Sequence, residues 1–199
     1  MFITKKSIIG IIKLSGIIST ESRLGSRGGL NLNDLSDSIT KAFSFKNIKA
    51  IALLVNSPGG SPVQSALIAN RIRDLAKEKE IPVYCFIEDL AASGGYWLSC
   101  AGDKIYAMES SIIGSIGVIT AGFGAVEAIK KIGIERRVYS QGKNKGLLDP
   151  FLPEKKDDVK QILTIQKDLH SQFITWVKKR RGKRLNAKDE VLFNAGVWS

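Results

Sequence analysis

The feature that most constrains the fold of this chain is the alternation of short aliphatic runs with helical segments. Runs at residues 8–14, 48–55 and 82–87 are apolar at nearly every position. Strands with two apolar faces are typical of a parallel sheet, which helices cover and right-handed crossovers connect. The sequence therefore predicts an α/β fold with a mainly parallel sheet and right-handed βαβ crossovers.

The remaining elements are predicted from periodicity and turn residues. Residues 61–64 have the composition of a helix start, with Ser61 as N-cap and Gln64 at the capping-box position, and this helix is predicted to end near Lys79. Four residues are predicted on its inner face: Leu67, Ile68, Ile72 and Leu75. Further helices are predicted at 35–43, 92–100, 125–132 and 154–180, and further strands at 104–107, 116–120 and 136–139.

The 199 residues fit a single domain spanning 1–199. The net charge of +11 could attract nucleic acid or anionic lipid, but a soluble protein with a basic surface is the preferred interpretation, and no nucleic acid is expected as a partner. Cys85 lies in an apolar run and is expected to be a small buried hydrophobe. Two cysteines form neither a disulfide framework nor a zinc site, and we expect no metal and no cofactor.

The longest uncharged run of the first 18 residues, residues 7–12, is too short for a signal-peptide core or a membrane span. No segment of the chain is therefore predicted to cross a bilayer, and a cytoplasmic or membrane-associated location is expected. The basic run at 178–184 is interpreted as a solvated helix end that complements the helix dipole. Peripheral contact with an anionic membrane is the alternative.

Three segments rich in small residues follow predicted strands, and such strand ends converge on the site of an open α/β fold. Residues 56–60 end in two glycines whose N–H groups could bind an oxyanion, although Pro-Gly-Gly is more often only a turn. Residues 91–97 place Ser93 before a helix, where an ordinary N-cap serine is the simpler interpretation. Residues 140–146 carry lysines, which are usually solvated in loops.

A hydroxyl nucleophile needs a base. The only histidine, His170, has a polar helical setting that indicates a surface residue, so a Ser-His-Asp triad is poorly supported. A lysine can act instead when desolvation favours its neutral amine, and Ser-Lys pairs are variants of the triad.

Four motifs bear on this choice: VNSPGGSP at 55–62, AASGGYWLSCAGDKIYA at 91–107, SSIIGSIGVI at 110–119 and SQGKNKGLLDPF at 140–151. Together they resemble the signal peptide peptidase A family of Ser-Lys serine peptidases over essentially the whole chain. The resemblance implies the fold of the Clp protease and crotonase superfamily. It implies Ser93 as nucleophile, Lys145 as general base in preference to Lys143, and Ser115 as the hydroxyl that orients the lysine amine.

The resemblance also implies an oxyanion hole formed by Gly60 and the amide of Gly94, with Gly59 as the alternative donor. The implied substrates are signal-peptide remnants and other extended, apolar peptides. Short members of the family build one site from two neighbouring subunits, so a homo-oligomer is expected. The hydrophobic N-terminal anchor and the last C-terminal element of the family are expected to be missing from this chain.

Two other interpretations remain. A crotonase-type acyl-CoA enzyme would share the fold and the oxyanion hole, but no paired-glutamate site stands out, and a thioester-hydrolysis assay would distinguish it. A catalytically silent scaffold or membrane-surface module is the other, against which the intact Ser93, Ser115 and Lys145 argue. Labelling by an active-site-directed serine reagent would decide that case.

Overall fold

The computed structural model describes residues 6–20, 29–142 and 145–199 of the chain. They group into two compact units, one formed by Met1–Gly117 with Gln172–Ser199 and the other by Val118–Ser171. Lys143 lies outside the described residues. Whether the chain forms one domain, as the sequence predicts, stays a prediction.

A six-stranded sheet forms the framework of the first unit. Its strands are β1 (Ile8–Ser15), β2 (Ile48–Ser57), β3 (Val83–Ala92), β4 (Lys104–Tyr106), β5 (Ile112–Gly114) and β6 (Val197–Trp198). The order is β1-β2-β3-β5-β6, with β4 also paired to β3, and every pair is parallel except β5 with β6. The predicted α/β class with a mainly parallel sheet is confirmed.

Helices alternate with the strands along the chain. They are α1 (Leu32–Ser44), α2 (Pro62–Glu78), α3 (Gly94–Ser99), α4 (Val126–Lys131), α5 (Lys156–Arg181) and α6 (Asp189–Leu192). The helix α4 belongs to the second unit, and α5 begins in the second unit and ends in the first. Among the described residues, no helix combines the length and apolar character that crossing a membrane requires.

The core of the first unit lies on one face of the sheet. Alternate residues of the central strands, such as Leu53 on β2 and Cys85 on β3, are fully buried in one cluster with residues of α1, α2 and α3. The opposite face is more open, because Ile11 on β1 and Phe86 on β3 are exposed and the ring of Phe86 stacks on that of Tyr106. The strands therefore carry apolar side chains on both faces of the sheet, but only one face of the sheet is fully buried in this chain.

Two predicted strands are wrong. The strand predicted at 116–120 lies earlier, at Ile112–Gly114, because the chain turns at Ser115, which has φ 52° and whose carbonyl accepts the N–H of Gly117. Residues 136–139 form no strand; the Arg136 side chain pairs with Asp149 instead.

The start of α2 is predicted in part. Ser61 is the N-cap and accepts the N–H of Gln64 at 3.3 Å. The Gln64 side chain does not close the capping box, because its Oε1 accepts the N–H of Leu32 at the start of α1. Leu67 was predicted on the inner face and is exposed; Ser65, Ala69 and Ala76 are buried, since small residues let the helix approach the sheet.

Candidate active site

Ser93 lies at the turn between β3 and α3. Its backbone has φ 51° and ψ −122°, a conformation that non-glycine residues rarely adopt and that persists only where the surroundings impose it. The Ser93 N–H donates to the carbonyl of Gly114 at 2.8 Å, and the Ser93 carbonyl accepts the N–H of Trp97 at 3.0 Å. Ser93 occupies the N-cap position of α3, but its side chain forms no capping hydrogen bond. The interpretation of Ser93 as an ordinary N-cap serine therefore loses its support.

Ser115 follows the neighbouring strand at the equivalent position. Ala92 on β3 is paired with Gly114 on β5, so the next residues of the two strands are Ser93 and Ser115. Ser115 is half-buried with φ 52°, and its N–H donates to the carbonyl of Gly196 at 2.7 Å. The parallel sheet thus brings the two serines side by side, although 21 residues of sequence separate them.

The turn after β2 carries the two glycines that were predicted as oxyanion donors. The N–H of Gly59 donates to the hydroxyl of Ser57 at 3.1 Å, so it is already used within the turn. Gly60 forms a parallel bridge with Ile18. The N–H of Ile18 donates to the carbonyl of Gly59, and the carbonyl of Ile18 accepts the N–H of Ser61. In such a bridge the N–H of the central residue points away from its partner strand. Of the two amides, that of Gly60 is the one free to bind a ligand.

Glycine is required where this turn meets α3. A Cβ on Gly59 would lie 2.6 Å from the nitrogen of Gly94 and 2.8 Å from the Cβ of Ser93. Gly94 is the first residue of α3, where the N–H has no intrahelical acceptor. The close approach thus places two glycine-bearing backbone segments next to Ser93.

Lys145 belongs to the second unit, where it is exposed in a turn. Its backbone N–H donates to the carbonyl of Gly142 at 3.1 Å. It lines an open cavity of about 450 Å³ within that unit. Arg136 and Asp149, which line the same cavity, form an ion pair at 2.9 Å. The N–H of Phe151 and the guanidinium of Arg136 lower the pKa of Asp149. His170 lies on α5 in the same unit and is half-buried.

Ser57, whose buried hydroxyl supports the glycine turn, was not among the residues predicted from the sequence. The only available signal was its position directly before Pro-Gly-Gly. Neither cysteine is a candidate nucleophile, because burial raises the pKa of Cys85 and of Cys100 to about 12 and so keeps both thiols protonated. Within the described ranges, no group of three or more histidine, cysteine, aspartate or glutamate side chains could hold a metal ion.

Part of the basic run at the end of α5 has intramolecular partners. Arg180 donates to the carbonyl of Cys100 at 2.9 Å and pairs with Asp103 at 3.0 Å. Arg184 donates to carbonyls at the end of α5, and Lys178 pairs with Asp189. These contacts agree with a helix end whose last carbonyls are bound by cations.

A parallel α/β sheet with a strained serine at a strand-to-helix turn, flanked by backbone amides, is typical of α/β serine hydrolases. The model of a family described as Peptidase family S49 matches residues 75–199, more than half of the chain. The chain therefore belongs to peptidase family S49, a family of serine peptidases with a fold of the Clp protease and crotonase type. The resemblance to the signal peptide peptidase A family is confirmed.

Several curated proteins are similar to most of this chain. A Brucella melitensis protein named Na(+)/H(+) antiporter NhaA is 48% identical over 191 residues, which are 96% of this chain and 26% of that protein. An Enterococcus faecium protein whose name includes signal peptide peptidase SppA is 34% identical, over 95% of this chain and 54% of that protein. The Arabidopsis thaliana protein named Serine protease SPPA, chloroplastic, is 35% identical, over 75% of this chain and 23% of that protein. The chain thus spans about a quarter to about half of the length of these relatives.

Proposed function

We propose that this chain is an endopeptidase in which Ser93 is the nucleophile, Lys145 the general base and Ser115 the hydroxyl that orients the lysine amine. The observation that carries the proposal is the backbone of Ser93, which is strained and leaves the hydroxyl without a capping role. Strained residues at strand ends are typical of active sites. The neighbouring position of Ser115 agrees with an orienting role.

The proposed reaction begins when neutral Lys145 takes the proton from Ser93 Oγ and the oxygen attacks a peptide carbonyl. The amides of Gly60 and Gly94 donate to the oxyanion that forms, and their fixed positions lower the barrier because no reorganisation is needed. Lys145 then gives its proton to the leaving amine. In the second half, Lys145 takes a proton from water, the hydroxide attacks the acyl carbonyl and the bond to Ser93 Oγ breaks, and Lys145 returns the proton to Ser93 Oγ.

The proposed substrates are extended, apolar peptides such as signal-peptide remnants. Gly60 is exposed and its N–H points away from Ile18, so an extended peptide can pair with the backbone of this turn. The preference for apolar peptides is inferred from membership of peptidase family S49.

We propose further that the site is completed between neighbouring subunits of a homo-oligomer. A lysine base must be shielded from water to act as a neutral amine, yet Lys145 is exposed in the single chain. The unit that carries it also exposes Ile119, Phe123 and Tyr139 by 86%, 93% and 92%. Apolar exposure on this scale supports burial against another subunit.

The test of the nucleophile compares Ser93→Ala with Ser99→Ala, which removes a hydroxyl from the same helix outside the proposed site. We expect Ser93→Ala to abolish cleavage of an apolar peptide and to unfold at the same temperature as the wild type. Ser99→Ala should keep its turnover. Wild-type turnover in Ser93→Ala would disprove the proposed function.

The test of the base compares three substitutions. Lys145→Ala is expected to be as inactive as Ser93→Ala, because residues that act as a unit lose activity together. Lys143→Ala and His170→Ala should remain active. An inactive Lys143→Ala beside an active Lys145→Ala would assign the other lysine, and a large loss in His170→Ala would restore the triad interpretation.

Mixing the inactive variants tests the shared site. Ser93→Ala and Lys145→Ala are combined under conditions that allow subunits to exchange. If one site uses Ser93 of one subunit and Lys145 of another, some mixed contacts contain both intact residues and part of the activity returns. A mixture that exchanges subunits and stays inactive would exclude the shared site.

A further inference from the structure

The hydroxyl of Ser57 lies between the end of β1 and the glycine turn that follows β2. It donates to the carbonyl of Gly16 at 2.7 Å and accepts the N–H of Gly59 at 3.1 Å. Ser57 is fully buried, with 0% of its surface exposed. The hydroxyl thus uses its one donor and one of its two lone pairs, and losing it would leave the Gly59 N–H without its acceptor. This one side chain therefore connects two elements at the edge of the proposed site.

The bond from Gly59 to Ser57 selects one conformation of a turn that has many. Gly59 has φ +96° and Gly60 has φ +141°, and two successive glycines allow their peptide planes to rotate at little cost. While Ser57 accepts the N–H of Gly59, the next amide is the one left for a ligand. Ser57 fixes the peptide plane between Pro58 and Gly59, and without it only the bond from the Ile18 N–H to Gly59 O at 2.9 Å would hold the next plane, which carries the Gly60 amide.

The first turn of α3 also rests on Ser57. A Cβ on Gly95 would lie 2.3 Å from the carbonyl oxygen of Ser57 and 3.2 Å from its Cβ. Gly94, the other proposed oxyanion donor, precedes this contact directly. Both proposed donors are thus located relative to the same buried residue.

We propose that Ser57 is a positioning residue of the reaction. Its hydroxyl holds the glycine turn so that the amides of Gly60 and Gly94 bind the oxyanion together. Ser57 itself does not touch the substrate, because its hydroxyl is buried and occupied by Gly16 and Gly59. The inference rests on the proposed function, in which those two amides form the oxyanion hole.

The test compares Ser57→Ala with Ser99→Ala. Ser99 is a suitable control because it too has 0% exposure, and its hydroxyl bonds to the carbonyl of Gly95 at 3.0 Å without holding the glycine turn. Ser57→Ala should lower kcat by about 10- to 100-fold, which does not exceed the loss in kcat on removing one oxyanion donor. KM should change by no more than about twofold. Ser99→Ala should keep the wild-type kcat. The unfolding temperatures of Ser57→Ala and Ser99→Ala should fall by similar amounts, because each loses one buried hydroxyl.

A second readout separates positioning from general damage. A peptide aldehyde forms a tetrahedral adduct with the nucleophile and places its oxygen in the oxyanion hole, whereas the cleaved peptide product does not. Ser57→Ala should weaken binding of the aldehyde by the factor lost in kcat/KM and leave binding of the product unchanged. The inference is overturned if Ser57→Ala keeps the kcat of Ser99→Ala, or if aldehyde and product weaken equally.

A measurement on the wild type covers the case in which Ser57→Ala does not fold. In protein labelled with ¹⁵N-glycine, the amide proton of Gly59 should exchange slowly with solvent and that of Gly60 quickly. The aldehyde adduct should then protect Gly60. Equal exchange of the two amides would overturn the inference. Failure of the proposed function has a different signature, which is cleavage by Ser93→Ala.

Discussion

Replacing Gly59 by alanine tests the close approach of the glycine turn to Ser93. The added Cβ would lie 2.6 Å from the nitrogen of Gly94, 2.8 Å from the oxygen of Ala92 and 2.8 Å from the Cβ of Ser93. Two of these atoms belong to the backbone, and the third is fixed to it, so none can move away without shifting β3 or α3. The substitution also forces alanine to adopt φ +96°.

Gly16→Ala is the matched control. Gly16 has φ +105°, and a Cβ added there meets no atom within 4 Å. A non-glycine residue at such a φ costs about 1–3 kcal/mol, which is the whole expected effect at Gly16. Overpacking adds about 1–3 kcal/mol, so Gly59→Ala should lower the free energy of unfolding by about 2–6 kcal/mol. The entropy that alanine removes from the unfolded chain is common to both variants and cancels.

The free energies of unfolding are measured by urea denaturation of the full chain, followed by circular dichroism at one protein concentration. Gly59→Ala should also lose about 100-fold in kcat, because displacement of a reacting group by about 1 Å has that effect. Independent substitutions scatter by about 0.5 kcal/mol. If the free energies of unfolding of Gly59→Ala and Gly16→Ala differ by no more than that, the packing argument is refuted.

Two further predictions concern groups away from the site. Burial alone would raise the pKa of Asp103, but the N–H of Val83 and two arginine side chains lower it below the usual range of an aspartate. Because the folded pKa lies below the unfolded one, the stability that Asp103 contributes is present above about pH 4 and is lost as the pH falls through the folded pKa. Asp103→Asn should therefore lose less stability than the wild type on acidification, measured as urea midpoints; an equal loss would contradict this. Burial raises the pKa of Cys85 and Cys100 to about 12, so a thiol reagent should label neither in the native chain and both after denaturation, and fast native labelling would show that the thiols are accessible.

The central part of the fold could be predicted from local sequence because its signal is local. Strands apolar on both faces need a parallel sheet; the run at 48–55 lies inside β2, and the run at 82–87 lies inside β3 except for Pro82. The start of α2 was equally visible, since Ser61 caps the helix and Pro62 fits its first position. The predictions at 116–120 and 136–139 failed because β-branched residues indicate a strand only where a partner strand is available.

The candidate site divides in the same way. Small residues around Ser93 and Pro-Gly-Gly at 58–60 are local patterns, and with the resemblance to a family they were enough to name the residues. Which glycine amide is free was not a local property. It depends on the hydroxyl of Ser57, and the position of that hydroxyl depends on the carbonyl of Gly16, 41 residues earlier.

Sequence by itself therefore determined the class of fold, the strand ends where the proposed site lies and the residue types available there. Only the tertiary structure decided that Ser93 and Ser115 lie side by side, that Gly59 is occupied and that Gly60 is free. The physical reason is that periodicity and turn chemistry act over a few residues of chain. Strand register and side-chain hydrogen bonds are set by partners that folding brings together from distant parts of the sequence.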